Sequence, residues 1–362
     1  MFNIHSTIGK LSLRLADKKG SLQYKSSVIC FVYDRILWAS EPFQLIVEAH
    51  RLGQITGQMS GDFVYGFYNQ QLAIVTSYVA GRKLDDIQKL IMDFISTLRS
   101  HGVEIFLRNT VLLLSHITVL KEGIGSNVFQ SNSLPSEDEI LSDAKSGPSV
   151  LAFGKLHHLT RAFLFRQVSD TSSHIDISGS VDNSYQQLNP HFLLGYCFEG
   201  LASYLLARQS SGNSSTKWIS RGDTILTRMR YWSDHSEWNW ENKMLLLEAE
   251  SMYTKGDHNR AGLLYERAIR SAHKHKFIHE EAIASELAGI FYNERGFRQK
   301  SYLYLVHSLK SYELWGAHAV ARRVGTFIED IFGPDYLIDT VAQESLEYLF
   351  ATSQGRKRQE GE

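Results

Sequence analysis

The sequence predicts an all-α fold, an α-solenoid of antiparallel helix pairs, and three observations carry the prediction. Apolar residues recur three and four apart, as in Leu84, Ile87, Leu90, Ile91, Phe94, Ile95 and Leu98, which form one stripe on a 3.6-residue period. Glycines follow the periodic runs at Gly57, Gly81, Gly102, Gly123, Gly256, Gly296, Gly316 and Gly333, where a left-handed C-terminal cap is expected. The phrase around Gly256 then returns around Gly296, forty residues on. Sustained strand alternation is missing. In "SSHIDISGSVD" (172–182) Ile175 and Ile177 share a face, but turn residues surround them and the stretch reads as a loop.

In chain order, residues 1–39 read as N-terminal helices and a truncated start of the stack, and 40–123 as helical pairs. Residues 124–147 read as an irregular loop, and 148–208 as a helical pair carrying an inserted loop at 167–187. Residues 213–333 hold the C-terminal repeats, and 334–362 a terminal helix and disordered tail. All five prolines (Pro42, Pro135, Pro148, Pro190 and Pro334) fall in loops or at segment starts, where a missing N–H costs least. In the segment "GAHAVARRVGTFIEDIFG" (316–333), which closes the last pair, Arg322 and Arg323 are expected in solvent. Val320, Val324, Phe327 and Ile331 are expected to cover the preceding helices.

The chain has 362 residues, 43 % hydrophobic and 12 % aromatic, enough for a large core. Lysine plus arginine number 38 against 39 for aspartate plus glutamate, so no overall field draws the chain to nucleic acid or an anionic membrane. Cys30 and Cys197 lie in apolar helical patterns as small buried thiols, with neither a disulfide framework nor a zinc spacing. The N-terminus lacks the pattern of a secretory signal, and the longest apolar stretches fall short of the roughly 20 residues that span a bilayer. A soluble, cytoplasmic protein is expected.

The repeat has internal detail. Ala249 and Tyr253 precede the Gly256-Asp257 turn, and Ala261, Tyr265 and Ala268 follow it. Gly289, Tyr292, Gly296, Ser301, Leu305 and Ser308 take the same places in the next unit, which ends at Trp315-Gly316. Tyr78, Gly81 and Leu84 echo the order upstream. This resembles a tetratricopeptide (TPR) repeat, in which small residues let paired helices approach and an aromatic fills the gap between them. The forty-residue period exceeds the usual 34 of that family, which implies longer, divergent pairs. "EEAIASELAGIFYNERG" (280–296) with "YLYLVHSLKSYELWGAHAVARRV" (302–324) further resembles the TPR-like region of large signalling proteins of cyanobacteria and of algae such as diatoms. "SEPFQLIVEAHRLGQITGQ" (40–58) and "YVAGRKLDDIQKLI" (78–91) are similar to its earlier part. In that family the region follows a protein-kinase-like domain and an AAA-type ATPase module. GAF, PAS, histidine-kinase or cyclase domains come after it. None of those catalytic signatures occurs here, so the resemblance implies a segment without an activity of its own.

Other motifs point to no chemistry. "STIGKL" (Gly9, Lys10) and "FGKLHH" (Gly154, Lys155) lack the glycine spacing and following hydroxyl of a phosphate loop. His157 and His158 are about 100° apart on a helix and cannot share an ion. Of His273, His275 and His279, only the last two share a helical face, and a hydrated helix end accounts for this segment. No catalytic, cofactor-binding or metal residue is assigned. Arg228, Arg230, Trp232, Trp238 and Trp240 form the candidate partner-binding cluster, since arginine and tryptophan dominate interface energies; the same residues also suit wedges between helices. The reading is thus a non-catalytic scaffold that engages a protein partner or neighbouring signalling domain, on this cluster or on the concave face of the stack. The alternative is a helical hydrolase or transferase whose site is assembled from distant residues.

Overall fold

The computed structural model describes residues 2–18, 20–126, 134–143, 145–175 and 190–333, and every described element is helical. The first block comprises α1 (Phe2–Ala16), α2 (Leu22–Arg35), a 3-10 turn (Leu37–Ala39), α3 (Phe43–Ser60), α4 (Phe63–Val79), α5 (Leu84–Ser100) and α6 (Leu107–Glu122). The middle holds α7 (Glu137–Ser142), α8 (Pro148–Leu164), α9 (Val168–His174) and α10 (Pro190–Gln209). The last block is α11 (Gly212–His235), α12 (Glu237–Lys255), α13 (His258–Lys274), α14 (Ile278–Glu294), α15 (Arg298–Trp315) and α16 (His318–Phe332).

Neighbours in sequence are neighbours in space: α3 packs on α4, α12 on α13 and α14 on α15. The turns of the last block from α12 onward share one geometry. A left-handed residue follows the helix, and the next N–H reaches back five residues, as in Asp257 N to Met252 O at 2.9 Å and Phe297 N to Tyr292 O at 2.9 Å. Four such residues fall twenty apart in the last block: Gly256, Lys276, Gly296 and Gly316. The forty-residue repeat is therefore two helices of one register. Lys276 (φ 62°) fills a position where the others place glycine, which is why glycine spacing alone does not mark that turn.

Some expectations need correction. Gly57 is not a cap; it lies buried inside α3, where an added Cβ would meet Gly66 of α4 at 2.8 Å, and Gly61 (φ 77°) closes the helix instead. Helices α7 and α9 lie within stretches read as irregular, and a capping box between Ser136 and Glu139 starts α7. The rest of 172–182, from 176 on, lies outside the described residues, as do 334–362. On α16, Val320, Val324 and Ile328 are buried rather than Ile331, and Arg323 turns inward to Glu286, while Arg322 stays exposed.

The first block and the last meet. Asn239 of α12 donates to Trp38 O (3.1 Å) and Glu41 O (2.8 Å) and accepts from Phe43 N (3.1 Å). Trp315 Nε1 donates to Arg82 O at 3.1 Å, Arg322 to Glu122 O at 3.0 Å, and α16 packs on α6. One core runs through both blocks, with Trp38, Trp240 and Trp315 all buried in it.

Candidate interaction surface

Several of the chemically capable side chains are committed to the interior. Glu286 is buried and receives Arg166 (2.9 Å), Arg323 (2.8 Å) and the Tyr312 hydroxyl (3.0 Å), so the two guanidinium charges hold its carboxyl down at about 2 despite burial. Glu250 receives Arg208 at 2.6 Å and Tyr265 at 2.5 Å. Lys243 and Glu280 form a buried pair at 2.8 Å beside a cavity of about 20 Å³, also lined by Cys197, Asn242 and His279, which has room for about one water. Burial pushes both thiols, Cys30 and Cys197, up to about 12, which leaves them protonated and unreactive at neutral pH.

The histidines divide between core and surface. His157 lies in the core, stacked on His116 at 4.4 Å with its Nε2 3.2 Å from that of His191, while His158 points into a separate cleft; the pair does diverge. Burial keeps His116 and His157 well below the ordinary imidazole value and brings His191 to about 3, so these rings are neutral packing groups. His275 and His279 do not share a helical face, because α13 ends at Lys274 and α14 begins at Ile278. Both are buried rather than hydrated.

A cleft of about 550 Å³ between α6, α7, α8 and α9 is lined by Ser115, Glu137, His158, Arg161, Asp170 and His174, among others. Glu137 accepts from Arg161 (2.7 and 3.0 Å), His158 (2.9 Å) and Ser115 (2.8 Å). Those donors, His158 and Arg161 foremost, outweigh its desolvation and hold the carboxyl far below its ordinary value. A carboxylate kept ionised by four donors is a poor proton acceptor, and Ser115 points its hydroxyl at it rather than at a base. Glu237, Glu241 and His275 could hold a metal ion, since one donor atom of each lies within 4.8 Å of the others. Lys274 (3.1 Å) and Ser271 (2.6 Å) already engage the two carboxylates.

The tryptophan–arginine segment is divided by the fold. Trp240 is fully buried between Trp38, Phe43 and Trp232. Trp232 and Arg228 line a recess of about 410 Å³ with Tyr196, Thr227 and Tyr231, and Arg230 turns to Glu248 at 3.1 Å. Trp238 lies elsewhere, over His275 at 4.7 Å and donating to Gln44 at 3.0 Å. Five residues close in sequence thus serve separate places: Trp240 is a buried wedge and Trp232 is half-buried, while Arg228, Arg230 and Trp238 stay exposed.

What the sequence reading missed is on α1 to α4. Ile4, Ile8, Leu11 and Leu15 of α1, and Leu45, Leu52, Ile55 and Met59 of α3, are all exposed, as are Phe31 of α2 and Phe63, Val64 and Tyr68 of α4. Of 22 exposed large apolar residues among those described, 14 precede residue 80, so the apolar surface is concentrated at one end. The signal was present in the sequence: α3 carries apolar residues on two sides, Phe43, Ile46 and Val47 inward and the other four outward, one set more than a single buried stripe needs.

No protein-family model matches the chain, and no curated protein matches it. No described helix is long and apolar enough to cross a membrane.

Proposed function

We propose that the chain is a TPR-like α-solenoid that works as a non-catalytic, cytoplasmic protein-interaction or regulatory segment of the signalling ATPase and kinase type. The observation that carries this reading is the exposed apolar surface of α1 to α4, because soluble chains that keep contiguous apolar side chains in water keep them for a partner. Two features support it. The twenty-residue helix register matches stacked helical pairs, and the carboxylates and histidines suited to acid–base work are tied into ion pairs or buried as neutral rings. The docking surface is placed on the outer sides of α1 to α4 instead of on the tryptophan cluster or a concave groove. A partner occupying it would bias an adjoining module by its preference for one arrangement of that module.

Cross-linking and mass spectrometry on complexes formed with the full chain test this. Cross-links should cluster on α1 to α4 and vanish with Leu11→Glu combined with Phe63→Glu. A turnover that survives purification and is abolished by one substitution, for example Glu137→Gln in the cleft, would overturn the reading in favour of an enzyme.

A further inference from the structure

Three donor side chains converge where α12 begins. Glu237 and Glu241 stand four apart on that helix and so share a face. His275 follows the last residue of α13. One donor atom of each lies within 4.8 Å of the other two. Zinc bonds of about 2.0–2.2 Å put any two donors at most about 4.4 Å apart, so small rotations of the two glutamates bring all three onto one ion. Glu237 is exposed and Glu241 half-buried, which leaves those rotations free.

The imidazole separates this group from an ordinary acidic patch. His275 is 2 % exposed, and its ring is held in place. Trp238 lies over it at 4.7 Å, and Gln44 of α3 holds both, donating to His275 O at 3.1 Å and accepting from Trp238 Nε1 at 3.0 Å. Among the described residues the ring's hydrogen bonding is limited to Ser271 Oγ, 3.4 Å from Nδ1. That hydroxyl gives its proton to Glu241 at 2.6 Å, so it does not occupy a lone pair of the ring. A buried imidazole therefore keeps an unshared lone pair beside two carboxylates, which together are a metal-ligand set.

The groups that already touch the carboxylates leave room for the ion. Lys274 and Glu237, 3.1 Å apart, are each 63 % exposed, and exposed pairs of this kind hold weakly. Ser271 engages one oxygen of Glu241, and a carboxylate offers about four lone-pair sites; such a bond orients a ligand from outside the coordination sphere. An imidazole among carboxylates suits a borderline divalent ion, whereas Mg²⁺ and Ca²⁺ prefer oxygen alone. We infer that Glu237, Glu241 and His275 bind one Zn²⁺ ion, with water completing its coordination, and that the ion fastens the start of α12 to the turn between α13 and α14. His275 immediately precedes the left-handed Lys276, so the ion would hold the one turn from α12 onward that has no glycine. Zinc binding here is independent of what docks on α1 to α4.

Isothermal titration of the untagged full chain with ZnCl₂, after chelation and dialysis, measures it. One equivalent should bind, and Mg²⁺ and Ca²⁺ at the same concentration should not compete. X-ray absorption of the loaded protein should show one imidazole among oxygen ligands and no sulfur. Glu237→Gln and Glu241→Gln should each weaken binding about tenfold or more, while the metal-free melting temperature stays close to that of the wild type. Zn²⁺ should raise the wild-type melting temperature, and raise it less in either variant. His273→Gln, at an exposed neighbouring histidine, should bind as the wild type does. Equal binding by the wild type and both glutamate variants would be an adventitious ion only and overturns the site, as does no binding at micromolar Zn²⁺. More than one imidazole, or displacement by Ca²⁺, overturns the ligand set.

Discussion

The first four helices and the last five both pack neighbour on neighbour and differ in where they put polarity. In the last block, carboxylates are drawn inside and saturated: Glu250 by Arg208 and Tyr265, Glu266 by Lys300 at 2.7 Å, Glu286 by two arginines and a tyrosine. In the first four helices the buried polar groups are neutral apart from Asp34, which pairs with Arg35 at 2.8 Å. Asn69 binds Ser26 O (2.9 Å) and His50 Nδ1 (2.9 Å), and leucines, isoleucines and a methionine face water. The contrast teaches that helix packing alone does not consume the apolar surface of this chain. One end draws charged residues into internal pairs, and the other leaves apolar residues in water.

The largest expected effect breaks the charged side of that contrast. Glu286→Ala leaves Arg166 and Arg323 facing each other without their anion, and removing one member of a buried ionic network costs about 3–5 kcal/mol. Urea unfolding monitored by circular dichroism should show the midpoint fall accordingly; a loss below 1 kcal/mol would mean the network is solvated.

Acid should attack the neutral side first. Burial holds His50 at about 4 in the native state, whereas an unfolded imidazole titrates near 6.5. Between those values the unfolded chain takes up a proton that the native one refuses, so the His50 contribution to stability is full above pH ~6.5 and declines as pH falls toward 4, whereas Asp34, raised by burial to about 6, acts in the opposite direction over the lower part of that window. His191, at about 3, and the other buried core histidines act in the same direction as His50. Glu286 adds a loss only lower, from the ordinary carboxylate range down to about 2. His50 alone contributes up to about 3 kcal/mol of this slope. His50→Gln, which can keep the bond to Asn69, should make the profile less steep between pH 6.5 and 4 by the share of one proton, and an unchanged slope would exclude the ring as a contributor.

Gly57→Ala comes next. The new methyl would sit 2.7 Å from Asp62 O and 2.8 Å from the Gly66 backbone, and forcing α3 off α4 should cost about 1–3 kcal/mol. Lys276→Gly, at an exposed left-handed position, should instead stabilise the last block by roughly 0.5 kcal/mol, the relief of backbone strain less the added entropy of the unfolded chain. Thermal melts resolve both, and opposite signs are required.

The all-helical fold was legible because apolar periodicity and capping glycines are local signals. Tyr253, Gly256 and Tyr265, for instance, take their places from residues within a dozen positions. The turn at Lys276 was not legible from glycine spacing, since a lysine there carries its strain silently. The Gly57 cap failed because a glycine required by a crossing helix looks the same in sequence as one required by a turn. Arg323 went astray for a different reason: whether a long side chain turns inward depends on an acceptor far along the chain, and Glu286 is 37 residues from Arg323. The exposed apolar row was written in the doubled apolar pattern of α3, visible only once the inward stripe had been subtracted.

The contacts that join the first block to the last also set a timetable. Arg322 reaches the end of α6 across 200 residues of sequence, and Trp315 reaches Arg82 across 233. At a synthesis rate of about 5–20 residues per second, α6 leaves the ribosome some 10–40 s before α16 exists to cover it. During that interval a face meant for the interior is on offer to chaperones, so the nascent chain, stalled before α16, should bind them more strongly than the released protein does.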